Sequence, residues 1–139
     1  MNSHIQRLNP VTISPPGGHY SHAVVVGALV FVSGQLPITP SGVRLNQASF
    51  CDQATQTLAN VKAALEAAGS SVAHLVQVRV YITSIGQWPA FNQIYKAWAG
   101  QSVPARAVVP VLELHYGFAI EVEAVGAVPK AADSHVTNF

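Results

Sequence analysis

The sequence predicts an α+β fold in which two helices pack on one face of a mainly antiparallel sheet. Val76, Val78, Val80 and Ile82 alternate with polar residues, the period of a half-buried strand. Stretches 49–68 and 89–99 instead space their apolar residues three and four apart, as an amphipathic helix does. Short β-branched runs near both ends supply further strands. The expected order is β-hairpin, helix, strand, helix, β-hairpin, which layers as helices on a sheet.

Residues 1–19 hold Asn9-Pro10, Pro15-Pro16 and Gly17-Gly18 and read as irregular, with about residues 1–7 and 130–139 expected to be flexible. Val24-Val25-Val26 and Leu29-Val30-Phe31-Val32 then flank Gly27-Ala28, a Gly-X pair suited to a type II′ turn. Ser33-Gly34-Gln35 ends this hairpin, and 37–42 is rich in turn residues. Ser49 caps the first helix, with Asp52 at the capping-box position, and Ala54, Leu58, Val61, Leu65 and Ala68 form its apolar stripe. Gly69 suits the position after its end.

The strand at 76–83 places its valines on the helices and Gln77, Arg79, Tyr81 and Thr83 on the other face. Pro89 fits the first turn of the second helix, whose apolar face is Phe91, Ile94, Tyr95 and Trp98, and Gly100 closes it. The last pair of strands is expected at about 106–112 and 118–128, turning through His115-Tyr116-Gly117. Pro110 cannot donate to a ladder, so its strand is expected at an edge or a bulge.

At 139 residues the length fits one domain. Charged residues make up 9% of the chain, against about 25% in an ordinary globular protein. So little charge clothes a monomer poorly, and an oligomer is expected to cover the free face of the sheet. The seven Lys and Arg are scattered singly and the net charge is +1. No basic run exists to displace counterions from a phosphate backbone, which argues against nucleic acid as a partner. Cys51 is the single cysteine, so no intramolecular disulfide is possible, and a reducing compartment fits. The first twenty residues lack a secretory core, and the longest apolar run, 23–32, is split by Gly27-Ala28. The expected location is the cytoplasm, with no membrane partner.

None of the six histidines forms an HxH or HExxH pattern, and His19 and His22 have no acidic residue or cysteine close by in sequence. Hydrogen-bonded or solvated histidines are the expectation, with no metal and no cofactor. Cys51, in the first helical turn, reads as a small apolar filler rather than a nucleophile. Ser33 lies outside a Gly-x-Ser-x-Gly elbow, and Gly17-Gly18 begins no phosphate loop. Arg106, Glu113, Glu121 and Glu123 fall in or beside the terminal strands among Val, Ile and Ala. An Arg in such a stretch suits a bidentate grip on a carboxylate, with Glu121 or Glu123 holding or deprotonating a water. A structural Arg–Glu pair fits the same residues, and periodicity leaves both readings open.

Several blocks, in order over about residues 8–128, resemble one family. They are Gly18-His19-Tyr20-Ser21, 30–37 (VFVSGQLP), 60–69 (NVKAALEAAG), 91–95 (FNQIY), Pro104-Ala105-Arg106 and 120–124 (IEVEA). The chain is similar here to the Rid (YjgF) family of reactive-intermediate imine and enamine deaminases, also labelled the endoribonuclease L-PSP family. The resemblance implies a chorismate-mutase-like, YjgF-like sandwich assembled as a homotrimer with active sites between subunits. It further implies cofactor-free hydrolysis of 2-imino or enamine acids to 2-keto acids and ammonia. Carried over, Arg106 binds the substrate carboxylate and Glu121 places the attacking water. Tyr20, Asn92 and the backbone at Ser33 and Gly34 place substrate, and Phe91 and Val108 shape the pocket for a short aliphatic chain.

This sequence departs from the family pattern at Val108, where many members have Cys, and at His19 and His115, where Pro is usual. These changes fit a different catabolic substrate as a second reading. A non-catalytic metabolite-binding or holdase-like trimer is a third.

Overall fold

The structure is a computed structural model and describes residues 4–130. Eight elements carry the fold: β1 Ile5–Leu8, β2 Ala23–Val26, β3 Leu29–Gln35, α1 Phe50–Ala67, β4 Leu75–Ile82, α2 Trp88–Ala99, β5 Ala105–Pro110 and β6 Ile120–Ala127. The strands form one sheet in the order β1-β2-β3-β6-β4-β5. All neighbours are antiparallel except β4 and β5. The α+β class and the YjgF-type arrangement of two helices on a mainly antiparallel sheet are therefore as the sequence predicts.

The helices follow their local signals closely. Ser49 caps α1 by accepting from the backbone N–H of Asp52 at 3.1 Å. At the other end, Ser70 N–H reaches Leu65 C=O and Gly69 N–H reaches Glu66 C=O, with Gly69 at φ +86°. That is a Schellman motif, which satisfies carbonyls the helix leaves unpaired. Ala54, Leu58, Val61 and Leu65 are fully buried under the sheet, as their spacing dictates. In α2, Pro89 sits in the first turn, and Phe91 and Tyr95 enter the same core. The sheet contributes Val30, Val32, Val78, Val80, Ile82, Ile120, Val122 and Ala124 to it.

The hairpin of β2 and β3 turns at Gly27 with φ +59°, while Ala28 keeps negative φ. That combination is the one a type II′ turn requires.

Elsewhere pairing partners override local pattern. Ile5–Leu8 lies within the segment expected to be irregular, yet it is a strand, because β2 offers a free edge for it to pair with. Of the expected flexible ends, residues 1–3 and 131–139 lie outside the described residues. In β4 a register shift between Leu75 and Gln77 turns Leu75 into the core and leaves Val76 46% exposed. The valine face expected from strict alternation therefore begins at Val78.

The largest correction is that the terminal hairpin does not exist. β5 pairs parallel with β4 after crossing over through α2, and β6 inserts between β3 and β4. Residues 111–119 are long enough to carry the chain over β4, and the strict burial alternation of β6 suits a central strand. Pro110 closes β5 at the sheet edge, where the missing N–H costs no ladder bond.

Candidate active site

A cleft of about 610 Å3 opens where the N-terminal segment and the 36–44 loop meet the ends of β3 and β6. A bulge shapes its floor. Val32 pairs with Ala124 and Gln35 with Val122, so β3 carries one residue more than β6 over this interval. Val32 and Gln35 both turn into the core as a result, and Ser33 and Gly34 line the cleft with Glu121. Gly34 is required there. A Cβ built on it overlaps the Glu121 carboxylate and lies 2.9 Å from its carboxyl carbon.

The cleft wall is tied down by buried polar groups. His22 Nε2 donates to Ser14 C=O at 2.7 Å, and Gln35 Nε2 donates to His22 Nδ1 at 3.1 Å, which fixes a neutral tautomer. The His22 backbone N–H also donates to Asn9 Oδ1. Asn60, 4% exposed, donates to the carbonyls of Leu36 and Ile38 and so fixes the 36–44 loop. Tyr20 stands at the mouth, 45% exposed, with its ring edge toward His22.

Glu121 is the carboxylate of the cleft. Burial pushes its pKa above the ordinary carboxylate value, His115 opposes that rise, and Glu123 adds to it. Glu123 is differently placed. It accepts from Arg79 at 2.9 Å and from the Tyr81 hydroxyl at 2.8 Å, and this bond holds the Tyr81 phenol protonated to higher pH. The Arg–Glu pair that forms is Arg79–Glu123, and the structural pair left open for Arg106 is not among the salt bridges of the described residues. Glu121 forms no salt bridge among the described residues.

Arg106 belongs to a second group. Arg106 is paired with Val78 and Val108 with Val80, so both project on the helix side of the sheet. Glu121 is paired with Tyr81 and projects on the other side. Arg106 donates to Asn92 Oδ1 at 3.0 Å, and its guanidinium lies 4.8 Å from the centre of the Tyr95 ring. The tyrosine hydroxyl is buried without a partner, and its pKa rises with burial, opposed by the Arg106 charge. Two strand spacings, about 10 Å, and the thickness of the sheet separate Arg106 from Glu121 in one chain.

The structure therefore gathers Tyr20, Ser33, Gly34 and Glu121 in one cleft and Asn92, Val108 and Arg106 beside the β5 edge. Phe91 joins neither as a wall. It is wholly buried and supports Tyr95 through ring contact at 5.5 Å. Cys51 is exposed rather than a core filler. Arg44, Asn60, Tyr116 and Gln35 line the cleft without having been singled out by sequence pattern. Asn60 carries a weak signal, one turn from Ala64 on the buried side of α1, whereas alternation from Val30 and Val32 would turn Gln35 outward and only the bulge brings it in. Among the described residues no three His, Cys, Asp or Glu side chains are grouped to hold a metal ion. No helix of the described residues is long and apolar enough to cross a membrane.

Comparison with known proteins places this geometry. A family profile described as Endoribonuclease L-PSP matches residues 12–128. Protein HMF1 of Saccharomyces cerevisiae is 39% identical over 108 residues, covering 78% of this chain and 83% of that protein. The human 2-iminobutanoate/2-iminopropanoate deaminase is 35% identical over 126 residues, covering 90% of this chain and 92% of its own. The crystal structure of the YjgF gene product of E. coli superposes with a TM-score of 0.83 at 30% identity, covering 89% of this chain and 99% of that one. The overall arrangement of strands and helices is thus a shared fold, and this chain belongs to the Rid (YjgF) family, the Endoribonuclease L-PSP group.

Proposed function

We propose that the chain hydrolyses 2-imino acids and their enamine tautomers to 2-keto acids and ammonia, in clefts between copies of itself. The observation that carries this reading is Glu121, a half-buried carboxylate in no salt bridge among the described residues, seated over Gly34 beside Tyr20 and Ser33. Burial gives it a raised pKa, which suits a base that must both take and return a proton near neutral pH. The human relative's name supports the substrate class. A nuclease reading lacks a basic track, since the chain's seven Lys and Arg are dispersed.

In this reading Arg106 grips the substrate carboxylate with its in-plane N–H groups. The protonated imine is already electrophilic, so Glu121 needs only to orient a water and accept its proton as oxygen bonds to C2 and the C=N electron pair moves to nitrogen. Glu121 then returns the proton to the amine nitrogen. The C–N bond breaks as the hydroxyl gives its proton back to Glu121 and its oxygen forms the carbonyl; ammonia leaves and takes that proton as ammonium, which restores the Glu121 carboxylate. An enamine first takes a proton at C3 to become the imine.

Because Arg106 and Glu121 occupy opposite faces of one sheet, the complete site joins Arg106 of one copy to Glu121 of another. A cyclic homotrimer repeats that junction three times. The test is complementation. Arg106→Ala and Glu121→Gln chains are co-expressed with different tags, mixed oligomers are purified, and keto-acid release from imines made in situ is measured. Each purified mixed trimer holds two chains of one kind and one of the other, which leaves both groups intact in about one cleft of three, so about a third of wild-type activity returns. No recovery from the mixed oligomer means that each chain builds its own site.

Gly34→Ala probes the floor. The added methyl displaces the end of the Glu121 side chain, so activity is expected to fall about 100-fold, as for a catalytic group misplaced by an ångström. The chain should remain folded in urea titrations, because a flexible side-chain end is what gives way. Wild-type turnover in Gly34→Ala removes Glu121 placement from the mechanism.

A further inference from the structure

We propose that the cleft holds a second anion-binding position, Arg44 stacked on Tyr116, which selects imino acids bearing an acidic side chain. This rests on the deaminase reading and names its substrate class.

Both residues are held in place. Arg44 forms an isolated antiparallel bridge with Ile38, and Asn60 anchors that loop through the Leu36 and Ile38 carbonyls. Tyr116 has φ +58° and ψ +17°, the one non-glycine residue among the described residues in the left-handed region. A tyrosine occupies that region at a cost, which marks a ring held in place by its surroundings. Phe118, buried in the core, contacts the Tyr116 ring edge-on at 5.6 Å. Arg44 lies over the ring, its guanidinium carbon 3.7 Å from the ring centre.

Stacking occupies the face of the guanidinium and leaves its N–H groups in the plane, the geometry that meets a carboxylate bidentately. Among the described residues no hydrogen bond or ion pair uses them. The ion pairs among the described residues are Lys62–Glu66 and Arg79–Glu123. Glu121 shares the cleft but forms no salt bridge with Arg44, which sits on the 36–44 loop. At about 610 Å3 the cleft falls in the size range of drug-sized ligands, larger than a three-carbon acid needs. A substrate whose first carboxylate is held by Arg106 leaves Arg44 unmatched unless it carries a second. Two guanidiniums and one catalytic carboxylate fit a 2-imino dicarboxylate.

The experiment compares imines generated in situ by amino-acid oxidases from aspartate and glutamate with those from alanine and leucine. Semicarbazide competes for the imine and reports its lifetime. Wild type should accelerate hydrolysis of the acidic imines more than the aliphatic ones. Arg44→Met should reduce that acidic-to-aliphatic ratio about 10- to 100-fold, the range for losing hydrogen bonds to a charged group. Tyr116→Phe, which keeps the stack, should retain the ratio, and Tyr116→Ala should lower it. A ratio unchanged by Arg44→Met overturns the second position and leaves the deaminase reading standing.

Calorimetry decides the point independently of turnover. 2-Oxoglutarate should bind wild type more tightly than 2-oxobutanoate, and Arg44→Met should erase the difference. Equal binding of the two keto acids by wild type overturns the proposal. No acceleration of any imine, with the calorimetric preference intact, removes the deaminase reading and leaves Arg44 as the anion-binding group.

Discussion

Arg106→Ala is expected to lower kcat/KM for imino acids about 100- to 10,000-fold, the loss of two hydrogen bonds between a guanidinium and a carboxylate at about 1.5–3 kcal/mol each. Arg106→Lys keeps the charge but not the fork and should fall between the two. Stability should move little. Arg106 is half-buried, donates one bond to half-buried Asn92 and stacks against Tyr95, so its removal leaves an amide that water can reach. A loss of about 1 kcal/mol or less follows from that single neutral acceptor. Steady-state rates and urea unfolding of the same preparations separate the two effects. Wild-type kcat/KM in Arg106→Ala would falsify the clamp.

Glu121→Gln is expected to lower turnover about 100- to 10,000-fold, the usual contribution of a placed acid or base. In the wild type, kcat/KM should fall as pH drops through the raised pKa of Glu121, at a higher pH than for an ordinary carboxylate, and the residual rate of the variant should lack that limb. The same pKa shift runs the other way for stability. The folded state keeps the Glu121 proton to higher pH than the unfolded chain, whose glutamate titrates near about 4.3. Stability from this group is therefore full below that value and declines as pH rises through the folded-state pKa. Glutamine stays neutral, so Glu121→Gln should melt higher than wild type at neutral pH, with the gap closing in acid. A lower Tm at neutral pH would show that burial of the ionised carboxylate carries no such cost.

The helices were readable from the sequence because their signals are local. The Ser49 cap, the Gly69 stop and the three-and-four spacing of Leu58, Val61 and Leu65 need no distant partner. The place of β6 was not readable, because nothing in Ile120–Ala127 says which edges it will join. Val76 misled for a related reason, since a bulge moves every later side chain of a strand to the other face. At the site, Glu121 and Arg106 stood out once matched to family blocks, but their separation across the sheet is a fact of register alone. Arg44 and Tyr116 meet from loops about seventy residues apart in sequence, beyond the reach of any periodicity.

The seat of β6 also sets a timetable. Its neighbours are β3, nearly ninety residues earlier, and β4, and the two strands flank it without pairing to each other. Until residues 120–127 are synthesised, the centre of the sheet is an open slot, and Val30, Val78 and their helices have no middle strand to close on. Contacts of such long sequence separation form slowly, and open strand edges invite pairing with other chains. The nascent polypeptide thus closes the centre of its sheet only after β6 clears the ribosome.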